Sequence, residues 1–124
     1  MRIPVQGTFD VALARNMLRK QVAERGWVPS FRARAAAALT ALTEIVLLSQ
    51  TPAVLNIEVM DQGQPIGIQL VCDIHWRAAK EVWQEQARLR LSRATDELQV
   101  VDEPDCTHIV ASIWLSQDER RWIS

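Results

Sequence analysis

The sequence has few residues of the kinds that build metal centres, disulfide scaffolds or membrane spans. Its 124 residues include two cysteines, Cys72 and Cys106. They are too few and too far apart for a zinc site or a disulfide framework, and we expect both to be small, reduced core residues. No apolar run approaches the roughly 18 residues of a transmembrane helix. The opening MRIPVQGTFD lacks an apolar signal core, so we expect a cytoplasmic protein that is neither exported nor membrane-bound.

Catalytic motifs are equally scarce. The four glycines are scattered, so no glycine-rich loop is present to cradle phosphate, and the HExxH, CxxC and GxSxG patterns do not occur. His75 and His108 are the only imidazoles, each beside a predicted strand, where a lone histidine is usually a surface or hydrogen-bonded residue. No pair of carboxylates lies in the apolar surroundings that acid–base catalysis uses. The sequence therefore predicts no catalytic residue and no metal ligand set.

The charges are unevenly distributed along the chain. The net charge is −1, yet residues 1–34 carry a balance of +5 and residues 94–124 a balance of −5. This asymmetry predicts either pairing within the molecule or a charged docking face. The basic first helix is the one candidate for nucleic-acid binding, but no pattern of stacking aromatics accompanies it, so no nucleic-acid partner is expected.

Hydrophobic periodicity divides the first half of the chain into a strand and two helices. Ile3–Gln6 alternates as a short strand, and residues 10–25 have apolar side chains at helical spacing until Gly26 stops the helix. Ser30 is expected to cap the next helix through its hydroxyl. That helix is rich in alanine and leucine and apolar nearly all round, so we expect it to be buried on every side.

The second half of the chain changes period and predicts two hairpins around a third helix. The helix is indicated by apolar residues at steps of three, four, four and four: Trp76, Ala79, Trp83, Ala87 and Leu91. The strands are Val54–Met60, Ile66–Cys72, Glu97–Val101 and His108–Leu115. With 48% hydrophobic residues, the chain predicts a single domain over residues 1–124. The fold class is α+β: a two-layer sandwich of a mixed, mostly antiparallel sheet with about three helices on one face.

This order of elements resembles the small single-domain members of the GHKL (histidine-kinase-like) ATPase superfamily, closest to the bacterial anti-sigma factors and switch serine kinases. The segment DVALARNMLRKQVAERGW is similar to that branch's opening pattern D-x-x-x-A-R-x-x-x-R-x-x-A-x-x-x-G. The positions in step are Asp10, Ala14, Arg15, Arg19 and Gly26, and Ala23 lies one position past the second Ala of the pattern. ARAAAALTALTEIVLLSQ resembles the helix of the family's Glu-x-x-x-Asn box, and LVCD resembles the strand that delivers its adenine-binding Asp.

The departures from the family pattern concern its catalytic and phosphate-binding residues. Ala41 and Ile45 stand where the resemblance places the catalytic Glu and the Mg²⁺-binding Asn, and neither can act as a base or bind a hard cation. Both glycines of the family's Asp-x-Gly-x-Gly are missing after Asp73, and the phosphate lid is replaced by the third helix. The resemblance leaves Asp73 and Thr107 as adenine-binding residues, which implies a pseudo-ATPase with no cofactor.

Strand parity offers a test of this resemblance. Along the third strand, the apolar set that includes Ile68, Leu70 and Cys72 alternates with the set that includes Asp73. If Asp73 faces the helices, as the family requires, the apolar set faces outward and forms an interface. If the apolar set faces the helices, the match of Asp73 is coincidental. The first arrangement is the one we expect.

Three functions follow from these patterns. The leading hypothesis is a regulatory protein-binding module for signal transduction or transcriptional stress regulation. Its implied partner is an anti-sigma antagonist, a scaffold protein or a sigma factor, and the basic first helix is a docking surface for an acidic partner. The second is an active serine kinase or anti-sigma factor that binds ATP and Mg²⁺ with unorthodox residues. The third is a structural scaffold that works as a homodimer.

Overall fold

A five-stranded antiparallel sheet carries the long helices on one of its faces. The structure is a computed structural model that describes residues 1–78 and 80–120, without the side chains of residues 82 and 84. Its elements are β1 Arg2–Val5, α1 Thr8–Glu24, α2 Pro29–Ser49, β2 Ala53–Met60, β3 Gly67–His75, α3 Lys80–Val82, a π-helical turn Trp83–Ala87, α4 Arg88–Arg93, β4 Glu97–Asp102, β5 Cys106–Trp114 and α5 Gln117–Arg120.

The strand order is β1-β2-β3-β5-β4, and each neighbouring pair is antiparallel. Two hairpins account for most of the sheet. Ile57 lies opposite Leu70 in the β2–β3 hairpin, and Leu98 lies opposite Ala111 in the β4–β5 hairpin. The β3–β5 pairing joins the two hairpins at the centre of the sheet. The prediction of an α+β two-layer sandwich is confirmed, although the sheet is antiparallel throughout and not mixed.

The inner face of the sheet is apolar and packs against the helices. On β3, Ile68, Leu70 and Ile74 are fully buried and Cys72 is almost so. The expectation that this apolar set faces outward is therefore wrong, because the helices on the inner face supply the apolar surface against which these side chains lose their contact with water. The outer face is uncovered by any described element and carries a separate set of valines: Val54, Val71, Val101 and Val110.

The two long helices begin in different ways. At the start of α1, the Asp10 carboxylate accepts hydrogen bonds from the backbone N–H groups of Gln6 and Gly7, which ties the incoming chain to the first turn. In α2, Val28 is the N-cap and Pro29 the first helical residue. Ser30 therefore does not cap the helix, contrary to the expectation. Proline suits this position because its missing N–H would have no partner there.

The third helical region is one continuous path with a π-helical turn between α3 and α4. Trp83, Ala87 and Leu91 are buried, so the apolar spacing read from the sequence is confirmed for them. Trp76 precedes the helix rather than beginning it, and Ala79 lies outside the described residues. No helix in the described ranges combines the length and apolar character that crossing a bilayer requires.

The two cysteines occupy different environments, and both are free thiols. Cys72 is a core residue, as predicted, and burial together with the neighbouring Asp73 carboxylate raises its pKa to about 12. Cys106 is only half-buried, so its assignment to the core is wrong. Burial and the negative charges of Asp73 and Glu103 raise the pKa of Cys106 as well. Neither thiol is activated as a nucleophile, because the thiolate is the reactive form.

A polar cluster around Arg34 of α2 links this helix to Asp96, Trp114 and Glu119 in the C-terminal part of the sequence. Its guanidinium donates to Glu119 Oε1 at 2.6 Å, to the Trp114 carbonyl oxygen at 2.7 Å and to Asp96 Oδ2 at 3.1 Å. The Ser30 hydroxyl donates to the other oxygen of Glu119 at 2.8 Å. Part of the charge asymmetry of the chain is therefore satisfied within the molecule, since Arg34 pairs with two acids of the C-terminal segment.

The charge of Glu119 makes this cluster sensitive to acid. Burial alone would raise the pKa of Glu119, but hydrogen bonds from the Ser116 N–H, the Ser30 hydroxyl and Arg34 outweigh it and hold the pKa below its ordinary 4.5. A carboxylate with a lowered pKa in the folded state stabilises the fold above the pKa of the unfolded chain. That contribution is lost as the pH falls through the pKa of the folded state.

We expect Glu119→Gln to lower the free energy of unfolding at pH 7 by about 1.5–3 kcal/mol, the usual range for hydrogen bonds to a charged group. The difference from the wild type should narrow as the pH falls below 4.5, the ordinary pKa of this carboxyl group. Urea denaturation between pH 7 and pH 3 measures this. Glu97→Gln, which removes an exposed carboxylate of β4, is the matched control. Parallel pH profiles for the wild type and Glu119→Gln would contradict the assignment.

Candidate functional site

The expected adenine-binding residue Thr107 lies on β5, fully buried on the inner face of the sheet. Its hydroxyl donates to Asp102 Oδ1 at 2.9 Å and accepts from the indole Nε1 of Trp76 at 2.7 Å. The Lys80 ammonium lies 3.2 Å from the same oxygen of Asp102. A hydroxyl has one donor and two acceptor positions, so Thr107 already uses its donor and one acceptor on side chains of this chain.

Trp76 fills the space beside Thr107. Its ring stacks on Trp83 with centroids 6.1 Å apart and an interplanar angle of 28°. Its backbone N–H donates to the Asp105 carbonyl at 3.2 Å, and the next N–H, of Arg77, donates to the Ser49 carbonyl at 3.0 Å. The segment that stands in place of the family's glycines is therefore held by both backbone and side-chain contacts, and its tryptophan is part of the internal packing.

The second expected adenine-binding residue, Asp73, lies on the other face of the sheet. In the β3–β5 register Asp73 is opposite His108, whereas Thr107 is opposite Ile74. Successive side chains of a strand point to opposite faces, so Asp73 is on the outer face and Thr107 on the inner face. The structure does not bring the two residues together, so by the test of strand parity the match of Asp73 to the family's adenine-binding Asp is coincidental. Asp73 instead contacts Nδ1 of His108 through its carboxylate, with 59% of its own side chain exposed.

The positions aligned with the family's catalytic Glu and Mg²⁺-binding Asn also lie in the core. Ala41 and Ile45 are buried on α2 and carry no oxygen ligand. The nearby Glu44 forms an ion pair with Arg90 of α4 at 2.7 Å. Within the described residues, no three His, Cys, Asp or Glu side chains are grouped so as to hold a metal ion.

A concave surface lies on the helical layer, between α1, α2 and α4. We call it the arginine groove. One hollow of about 350 Å³ lies between α1 and α2, and a second of about 680 Å³ lies between α2 and α4. Alanines of α2 form the floor: Ala33, Ala36 and Ala37. Arginines from three helices form the rims: Arg15 and Arg19 of α1, Arg32 of α2, and Arg90 and Arg93 of α4.

Arg15 crosses the groove between the two hollows. Its guanidinium donates to the Thr40 hydroxyl of α2 at 3.2 Å from Nε and 3.0 Å from Nη2. Because Thr40 is neutral, this contact holds the side chain in place without cancelling its charge. Arg15 also lines both hollows, so the two are parts of one continuous surface.

The expectation that α2 is buried on every side is wrong at this groove, where Ala36 and Ala37 are exposed. The charge balance of residues 1–34 indicated the arginines of α1 but not those of α4. The signal that the sequence did offer is the spacing of Ala33, Ala36, Ala37 and Thr40, which places small side chains along one stripe of a helix. Alanine is compatible with burial and with exposure, so its spacing does not tell which stripe is covered.

Comparison with known proteins adds no further constraint: no protein-family model matches the chain, and no curated protein shows significant similarity to it.

Proposed function

We propose that this chain is a regulatory protein-binding module of the cytoplasm, a pseudo-ATPase related to the GHKL anti-sigma factors and switch serine kinases that acts without ATP turnover. The observation that carries the proposal is the state of Thr107. Its hydroxyl is engaged by Trp76 and Asp102, and the Trp76 indole is packed on Trp83 beside it. Thr107 and Asp73 lie on opposite faces of the sheet, so they form no common adenine pocket.

Protein binding fits what the surface offers better than catalysis does. An enzyme of this family needs a general base and oxygen ligands for Mg²⁺, and the aligned residues Ala41 and Ile45 supply neither. The helical layer has a groove with charged rims and an apolar floor, which is the composition of a recognition surface. The partner class implied by the resemblance is an anti-sigma antagonist, a scaffold protein or a sigma factor.

Isothermal titration with ATP and ADP, with and without Mg²⁺, tests the proposal. We expect no binding heat at about millimolar nucleotide, because a nucleotide would have to displace the Trp76 indole from Thr107. Mg²⁺-dependent binding tighter than about 100 μM, roughly 5.5 kcal/mol, would contradict it. Thr107→Val is the matched variant: if nucleotide binds and this change abolishes the binding, the active-kinase alternative is favoured.

A further inference from the structure

The arginine groove carries a local excess of positive charge that the other described residues do not neutralise. Among the described residues, five arginines and one acid line its two hollows, and the acid, Glu44, is already paired with Arg90. Arg19, Arg32 and Arg93 are exposed and have no hydrogen-bond or ion-pair partner among the described residues. The protein as a whole has a net charge of −1. The groove is therefore positive through its own arrangement of residues rather than through a general excess of basic residues.

Two other arginines of the same region of the sequence are paired within the molecule. Arg25 pairs with Asp61 at 3.0 Å, and Arg34 pairs with Asp96 and Glu119. Arg25 and Arg34 are thus satisfied within the fold, whereas Arg19 and Arg32 are left on the rims of the groove. A ligand with negative charges along both of its edges would complement the second set.

The floor of the groove has the shape of a seat for a helix. Ala33 to Glu44 spans 11 residue steps of α2, which is about 17 Å, or three helical turns. Exposed Ala36 and Ala37 present only methyl groups, so a partner helix can approach α2 closely and place larger apolar side chains in the hollows on either side. The positively charged rims and the uncharged floor are complementary to an amphipathic helix. Its apolar stripe would lie on the alanine floor, and the rows of carboxylates on either side of the stripe would face the arginines.

We infer that the arginine groove is the docking site for an acidic amphipathic helix of a partner protein. The inference rests on the proposed function, since it names the surface and the chemistry through which the module binds its partner. Nucleic acid is the other polyanion to consider. Recognition of single strands uses aromatic stacking platforms, and no aromatic side chain is among the described residues that line the two hollows. The apolar floor between the rims favours a helix that carries apolar side chains.

The test uses a synthetic 18-residue peptide built from Glu, Leu and Ala, with leucines along one stripe and glutamates on both sides of it. A peptide of the same composition with the order scrambled is its control. Binding is followed by ¹⁵N-edited NMR of the full chain, which reports both affinity and location. We expect the largest shift changes at amides of the groove, around Arg19, Arg32 and Ala36, and at least tenfold weaker binding of the scrambled peptide.

Matched charge reversals separate the groove from general electrostatic attraction. Arg19→Glu with Arg32→Glu should weaken binding of the ordered peptide at least tenfold. Arg2→Glu with Arg77→Glu makes the same change in net charge at exposed positions away from the groove and should alter affinity less than twofold. If the charge reversal at the groove lowers stability, Arg19→Gln with Arg32→Gln replaces it, with an expected loss of at least fivefold.

Several results would overturn the inference. Equal weakening by the two charge reversals would show that only net charge matters, and shift changes confined to the outer face of the sheet would place the docking surface there. A short DNA or RNA duplex that competes with the peptide at equal affinity would assign the groove to nucleic acid. The first two results leave the proposed function standing, whereas the third would remove the groove from the observations that support protein binding. That function fails separately if Mg-ATP perturbs the amides of Trp76 and Thr107.

Discussion

Gly67→Ala is expected to destabilise the protein by about 3 kcal/mol or more, at or beyond the upper end of the usual cost of overpacking. Gly67 begins β3 and lies opposite Trp114 of β5. A Cβ added there would lie 2.0 Å from the Ile113 carbonyl oxygen, 2.9 Å from Trp114 Cα and 2.8 Å from the Trp114 ring. Two of these three contacts are backbone atoms of the neighbouring strand, so a side-chain rotation cannot relieve them.

Denaturant unfolding of Gly67→Ala against the wild type measures this effect. Gly7→Ala is the control, because a Cβ at Gly7 meets nothing within 4 Å and its φ of −158° is extended backbone that alanine adopts readily. Its cost should stay below about 1 kcal/mol, the usual cost of changing a helix N-cap. A similarly small loss for Gly67→Ala would show that β5 moves away from β3 at little cost, which is contrary to the close packing of Gly67 against Ile113 and Trp114.

Gly67 packs against Trp114, which also belongs to the polar cluster around Arg34. The backbone carbonyl of Trp114 accepts a hydrogen bond from Arg34, and the backbone N–H of Trp114 donates to Asp96 Oδ2 at 2.6 Å. Displacement of Trp114 would therefore disturb hydrogen bonds that link β4, β5 and α2 as well as the strand pairing. Neighbours that share partners have non-additive effects, so we expect Gly67→Ala combined with Glu119→Gln to cost less than the two changes summed.

The order of the elements could be predicted from the sequence because each has a clear hydrophobic period. The alternation on β3 is the plainest case, since Ile68, Leu70 and Ile74 each gain about 1.5–3 kcal/mol from burial. The reversed orientation, which the family resemblance required, would expose these three side chains and bury the Asp73 carboxylate at a further cost of several kcal/mol. Hydrophobic burial outweighs the resemblance, and Asp73 lies in solvent.

The candidate site could be predicted only in part, because its contacts join residues far apart in the chain. The hydrogen bond between Trp76 and Thr107 spans 31 positions, and nothing in the local pattern pairs an indole with that hydroxyl. The periodicity of α1 and α2 shows which of their residues are apolar, but not how closely the two helices pack. Whether Ala36 is buried or exposed depends on where α4 lies relative to α2. The π-helical turn before α4 sets that position, and the spacing of apolar residues does not reveal the turn.

Thr107, which would bind adenine in the resembling family, supports the structure of this chain instead. Thr107 and Asp102 bind Trp76 and Lys80, so their polar groups hold the segment after β3 against the β4–β5 turn. The donor and acceptor positions used in these contacts are not available to a ligand without breaking them. In the arginine groove, by contrast, Arg19 and Arg32 have no partner among the described residues and are available to a ligand. We therefore propose this groove as the docking site for the partner protein.

Trp83→Ala is the second large effect that we expect, a loss of about 3–5 kcal/mol in the free energy of unfolding. Trp83 is fully buried at the start of the π-helical turn, and its ring lies under that of Trp76. Removing it leaves a cavity that the surrounding side chains fill only partly. It also removes the support of the Trp76 ring, so the hydrogen bond from Trp76 to Thr107 should weaken with it. Thermal and urea unfolding measure the loss.

Trp83→Phe is the matched control because it keeps an aromatic ring for Trp76 to pack on while removing the indole N–H, which has no hydrogen-bond partner among the described residues. We expect it to cost less than half as much as Trp83→Ala, since a smaller cavity remains and the Trp76 ring keeps an aromatic neighbour. The Nε1–H resonance of Trp76 provides an independent readout: its slow hydrogen exchange should persist in Trp83→Phe and be lost in Trp83→Ala. Fast exchange of this proton in the wild type would contradict the hydrogen bond to Thr107, and with it the argument that this hydroxyl is closed to nucleotide.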